Sequence, residues 1–172
     1  MPKMKLTLPE NFYYTTTIPI RITDLNYGGH VGNDSVLSLI HEARVQFLRH
    51  HGYTELDMAG VGLIMADTTI EFKNELFYGE ELRASVAASE FSRIGFDLYY
   101  KLEKRIAGKG IQKSGPFQQT ANDGPSAQMP LASDVGEKWI PVVLARTGMI
   151  CYNYSAKKVV SMPKEVCTVL LS

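Results

Sequence analysis

One segment, about Ser35 to His50, carries an apolar pattern long and wide enough to organise a domain. At 100° per residue, Val36, Leu37, Leu39, Ile40, Ala43, Phe47 and Leu48 share a broad arc. Ser38, His41, Glu42, Gln46 and Arg49 lie on the other side. An arc wider than a surface stripe predicts a helix held deeply against a sheet. Asn33 or Asp34 is placed to cap its start, and Gly52 to end it.

On either side of this segment the period is two. Phe12, Tyr14, Thr16, Ile18, Ile20 and Ile22 predict one half-buried strand, in which Pro19 suits an edge or a bulge. Later, Ile64, Ala66, Thr68, Ile70 and Phe72 alternate with Met65, Asp67, Thr69 and Glu71. Leu82 to Ala88 and Ile94 to Leu102 alternate likewise, with Ser92 and Arg93 as the hairpin turn between them. Trp139 to Tyr154 is long enough for a buried strand, and Val159 to Met162 adds a short edge piece. Strand, long helix, then strands on hairpin-length links describes an α+β chain, with an antiparallel sheet packed on one helix. The 172 residues suffice for a single domain over 1–172. Residues 105–137 contain five Gly, three Pro and no period. They read as a flexible insertion between two strands that would otherwise form a plain hairpin.

Charge and composition narrow the function classes. Lys plus Arg number 18 and Asp plus Glu number 18, so no global basic field draws in nucleic acid or an anionic membrane. No apolar run approaches the ~20 residues of a membrane span. The opening MPKMKLTLPE lacks a signal-type apolar core, so a cytoplasmic location is expected. Cys151 and Cys167 show no redox or metal spacing and read as buried, reduced thiols. No His, Cys, Asp or Glu cluster has metal-ligand spacing, and no cofactor is expected.

The chemistry concentrates between Asp24 and Asn33. Gly28 and Gly29 permit positive φ and close backbone approach. The turn then delivers the first helical N–H groups, near Gly32 and Asn33, without intrahelical partners. A carbonyl oxygen placed there would be polarised by these donors and by the helix dipole. His30 adds a titratable side chain beside them. The plainer alternative is a strand-to-helix turn with polar caps. His50 and His51 sit at a helix end, where positive charge is favoured. Glu42 reads either as a framework residue, paired with Arg49, or as a carboxylate facing a pocket. Asp67 reads either as exposed or as lining an interface pocket.

The stretch Asp24-Leu25-Asn26-Tyr27-Gly28-Gly29-His30-Val31-Gly32-Asn33, followed by Glu42-Ala43-Arg44, resembles the hotdog-fold acyl-CoA thioesterases of the 4-hydroxybenzoyl-CoA thioesterase type. Their pattern is roughly D-x-D-x-x-G-H-V-N-N and then a long helix carrying E-A-R. EFKNELFYGEEL and the TGMICYNY…KKVVSMP ending extend the resemblance over about residues 12–104 and 138–165.

The resemblance implies a helix wrapped by an antiparallel sheet of five or six strands. It also implies a homodimer or homotetramer with sheets joined edge to edge and active sites at the interface. The substrate it implies is an acyl-CoA, whose CoA is part of the substrate and not a separate cofactor. The thioester carbonyl would accept from the backbone N–H near Asn33, and His30 would line the reacting centre. Tyr27, Gly28, Gly29 and Gly32 would stand on the substrate side. Lys73, Arg83, Arg93 and Lys101 are available for the CoA phosphates, with Lys73 and Arg93 the expected contacts.

One departure matters. The family's second acid is here Asn26, and an amide is neither base nor carboxylate nucleophile at neutral pH. The first Asn of the N-N pair is Gly32. Either His30, Glu42 or a partner subunit's Asp67 takes the base role, with Asn26 holding water or carbonyl, or the chain binds acyl thioesters without hydrolysing them. Asp24 either shares the strand face of Asn26 or caps the turn. A hydratase on this fold calls for a different His/Asp arrangement, which the sequence lacks.

Overall fold

The computed structural model describes residues 5–106 and 138–172. The expected insertion at 105–137 lies almost wholly outside the described residues. Strand β1 (Tyr14–Pro19) is followed by helix α1 (Asn33–His50), then β2 (Gly62–Phe72), β3 (Glu81–Ser89), β4 (Gly95–Ile106), β5 (Lys138–Asn153), the two-residue β6 (Lys158–Val159) and helix α2 (Lys164–Leu170). The sheet is antiparallel in the order β1-β3-β4-β5-β2, with β6 paired to β5. The α+β architecture expected from the sequence is the one observed.

Directly opposed residues in antiparallel strands share a face, so the register identifies the inner surface. Ile18, Leu82, Val86, Leu98, Tyr100, Val143 and Ala145 form it, all buried, against Val36, Leu39, Ile40, Ala43, Phe47 and Leu48 of α1. Leu37 was expected on that arc but is 37% exposed, at its margin. Pro19 ends an edge strand, where its missing N–H breaks no central ladder. Residues Ile106 and Lys138 face each other, so β4 and β5 form the hairpin expected on either side of the insertion.

Three expectations are corrected. Ile22 does not continue β1. The chain turns there into a single 3₁₀ turn (Ile22–Asp24), and Ile22 is exposed. The alternation read through Ile64, Ala66 and Thr68 is broken by a bulge between Met65 and Asp67. One extra residue reverses the faces. Met65 therefore opposes the buried Met149 and joins the inner side with Thr68, Ile70 and Phe72, whereas Ile64 opposes Ile150 on the outside. Helix α1 is also not capped by Asn33 or Asp34. Its N-cap is Gly32, with no side-chain cap bond.

The far end of α1 follows the expectation. Gly52 has φ +79°, and its N–H donates to Arg49 O while that of Tyr53 donates to Leu48 O. This pair of bonds is the Schellman closure that a glycine just past the helix permits. Cys151 is buried, and burial pushes its thiol up to about 11, so it stays protonated. Cys167, expected to be buried as well, is half-buried.

Candidate active site

Between β1 and α1 the backbone folds into a tight loop closed on itself. Leu25 bridges Val31, and Asn26 N donates to His30 O at 2.9 Å. Gly29 N donates back to Asn26 O, which needs the left-handed φ of +77° at Gly29. The Asn26 side chain joins this loop, its Oδ1 accepting from Gly28 N at 2.8 Å. Because an N–H must donate, the oxygen and not the nitrogen of the amide faces Gly28. Gly28 also has to be small. A Cβ there would stand 3.1 Å from Asn26 Oδ1 and 3.2 Å from His30 Nε2. Asn26 and His30 thus converge on one point. Asp24 is buried and accepts from Arg21 N at 2.7 Å. It caps the turn and is not aimed at a ligand.

His30 is oriented by its own neighbour. Its Nδ1 lies 3.2 Å from the Val31 carbonyl oxygen. A carbonyl only accepts, so that bond requires the proton on Nδ1 and leaves a lone pair on Nε2 of the neutral ring. This is the tautomer a proton acceptor needs.

The first intrahelical bond of α1 runs from Val36 N to Gly32 O. The N–H groups of Asn33, Asp34 and Ser35 precede it and have no intrahelical acceptor. His30 and Asn33 line one cavity of about 220 Å³, with Lys73, Asn74, Leu76 and Val142 among its other walls. It is small, but its walls bring together a histidine, the first residue of α1 and a lysine. Lys73 also pairs with Glu71 at 2.6 Å.

The other residues singled out from the sequence stand elsewhere on this chain. Glu42 is exposed and accepts from Gln46 at 2.6 Å, in place of the expected Arg49. Asp67 lies on the outer face of the sheet, paired with Arg146, which also holds Asp97. Arg93 is exposed in the β3–β4 turn, and Arg83 and Lys101 pair with Glu103 on the outer face. Tyr27 is fully exposed at the loop tip.

Two charged residues of α1 have surroundings that the sequence does not show. The Asp34 carboxylate folds back over Gly32, where the Asn26 side chain also approaches. Its helix-start position suggested only a cap. Arg44 is 6% exposed, inside the apolar arc of α1. A charge within such an arc was a legible signal that a partner had to exist. That partner is Glu55, whose Oε1 accepts from Arg44 Nε at 2.6 Å while Oε2 meets His41 Nε2 at 2.8 Å.

Burial pushes the Glu55 carboxyl up, but hydrogen bonds from His41 and Arg44 outweigh it and hold it below its ordinary 4.5. A carboxyl depressed in the folded state adds stability above its unfolded value and loses it as pH falls through the folded one. Glu55→Gln should therefore lower Tm at neutral pH and flatten the fall in Tm on acidification below about pH 4.5. Melting curves across that range check this, and an unchanged acid slope would contradict it.

A long helix laid against an antiparallel sheet and entered through a His-bearing turn has counterparts among known proteins. Residues 20–170 match the family model of the thioesterase-like superfamily, and the chain belongs to that superfamily. No curated protein matches it in sequence. Among solved structures, a hypothetical protein from Aquifex aeolicus is 21% identical, with TM-score 0.65 over 91% of this chain and 98% of that one. A 1,4-dihydroxy-2-naphthoyl-CoA thioesterase from Synechocystis is 15% identical, with TM-score 0.64 over 91% and 94%. A 4-hydroxybenzoyl CoA thioesterase carrying an aspartate-to-asparagine mutation, complexed with 4-hydroxybenzoyl CoA, is 12% identical, with TM-score 0.66 over 91% and 97%. These likenesses establish the shared hotdog fold. No helix among the described residues is long and apolar enough to cross a membrane.

Proposed function

We propose that this protein hydrolyses an acyl-CoA thioester to the free acid and CoA. The observation that carries the reading is that His30 and Asn33, the first residue of α1, whose N–H has no helical partner, line one cavity. The thioester oxygen accepts from the Asn33 N–H, where the helix dipole adds to the donor. Water attacks the carbonyl carbon and gives its proton to His30 Nε2. The C–S bond then breaks, and the CoA sulfur leaves and takes up a proton. Lys73 at the cavity wall suits a phosphate of the CoA portion.

In this reading the active form is a homodimer. Strand β2 is an outer strand of the sheet, eleven residues long, and its middle, Ala66 to Thr68, is exposed. Such an edge pairs readily with a second copy. That arrangement also leaves Asp67 of the partner subunit open as a contributor to the site. Light scattering should give at least twice the mass of one chain, and a monomer at working concentrations would rule out a shared site.

The direct test is hydrolysis of short, medium and aromatic acyl-CoAs by the purified protein. Turnover of at least one is expected, and His30→Ala should lower its kcat by about 10². No turnover above buffer across the panel would refute the enzyme reading.

Asn26 favours a second reading, in which the fold binds acyl thioesters without cleaving them. A relative bearing an aspartate-to-asparagine change is known with its thioester bound. Tight acyl-CoA binding with no hydrolysis would select this alternative.

A further inference from the structure

We infer that a second cavity beside α1 is a subsite for an uncharged oxygen on the distal part of a medium-length aliphatic acyl chain, with Arg44 as the donor. That the occupant is an acyl chain rests on the function proposed above; the donor itself does not. The cavity measures about 250 Å³, and its walls are Asp34, Leu37, Ser38, His41, Arg44 and Met65.

Arg44 is held but not saturated. A guanidinium has five N–H donors in a fixed fork. Glu55 takes the Nε proton at 2.6 Å, and the fully buried Tyr100 hydroxyl rests against the same group. Nη1 reaches the thioether sulfur of Met65 at 3.7 Å. A thioether is a weak acceptor, so a buried cation keeps donor capacity facing a cavity. An oxygen entering there would replace sulfur as the acceptor of Nη1.

The walls define the chemistry of the occupant. Leu37 and Met65 are 37% and 38% exposed and offer apolar surface for methylenes. Glu55 pairs with Arg44 and also engages His41, and Asp34 is a second acid on the cavity wall. A carboxylate would meet those two acids, whereas a hydroxyl or ketone oxygen accepts an N–H without adding charge.

Length follows from the helix. Asn33 and Arg44 are separated by eleven positions on α1. At ~1.5 Å per residue this is about 16 Å, shortened because helical side chains lean toward the N-terminus. A chain held by its carbonyl at the first turn needs several methylenes to reach Arg44, and one aromatic ring falls short. Asn33 borders the first cavity and Asp34 the second, so both open off the same turn.

The test uses non-hydrolysable medium-length alkyl-CoA thioethers with and without a terminal hydroxyl, titrated calorimetrically into the intact protein. Wild type should bind the hydroxylated thioether about tenfold more tightly, the worth of one charge-assisted hydrogen bond. Met65→Gln places an amide oxygen beside Nη1 and should abolish the preference, and Arg44→Met should do the same. Met65 is on an outer strand, so its substitution remains informative even if Arg44→Met unfolds. Equal affinities in wild type, a preference for a terminal carboxylate, or a preference that survives Met65→Gln would overturn the assignment. A hydroxyl preference without hydrolysis of the matching thioesters would sink only the enzymatic reading. Failure of either thioether to bind would remove both.

Discussion

Asn26→Asp is expected to raise kcat for acyl-CoA hydrolysis by about 10²–10⁴, the usual worth of a positioned general base. The substitution is isosteric. One carboxylate oxygen keeps the 2.8 Å bond from Gly28 N that now goes to Asn26 Oδ1. The other replaces the amide nitrogen, on a side chain whose Cβ approaches Gly32 at the N-cap of α1, where the helix dipole favours negative charge. Asp34 folds over Gly32, which the Asn26 side chain also approaches, and opposes a second nearby charge. The gain should therefore grow as pH rises and the new carboxyl loses its proton. In this background His30→Ala should cost less than it does in wild type, because two groups then compete for one proton. Steady-state kinetics on the best substrate of the panel, at several pH values, measure all of this. A folded Asn26→Asp protein with unchanged kcat would show that the missing acid is not what limits the site.

The fold was legible in the sequence wherever a period ran long enough. Sixteen residues of helical pattern placed α1 to within two positions of its observed start, and the paired strands β3 and β4 emerged from strict alternation. Helix α2 was missed because Lys164 to Leu170 is only seven residues, too short to separate a period of 3.6 from one of two. The β2 bulge was invisible because its cause is the pairing with Gly148 and Met149, some eighty residues later. The same limit applied to the site. Asn26, His30 and Asn33 are neighbours in sequence and were found together. Glu55 lies beyond the end of the helix, and only folding shows that it completes Arg44 and His41. The sequence alone permits Asp67 either exposure or an interface pocket, and the bulge sets it on the outer face with Arg146. Its relation to a second copy belongs to the assembly and not to the chain.

Asn33→Pro isolates the backbone donor on which the proposed chemistry rests. Asn33 is the first residue of α1, where proline is well tolerated because that N–H has no helical partner. Gly32 before it has φ −69° and ψ 153°, the extended geometry a residue preceding proline adopts. The helix should therefore survive with a single N–H removed. If that N–H stabilises the developing oxyanion, kcat should fall by about 10²–10³ with Tm nearly unchanged. The control is Asn33→Ala, which removes the side chain but keeps the donor and should retain most activity. The substrate carbonyl is only weakly charged before attack, so the loss should appear in kcat more than in KM. A folded proline variant with wild-type kcat would place the oxyanion on another donor, of which the N–H groups of Asp34 and Ser35 are nearest along the chain. An alanine variant as impaired as the proline variant would instead move the role from the backbone to the Asn33 side chain.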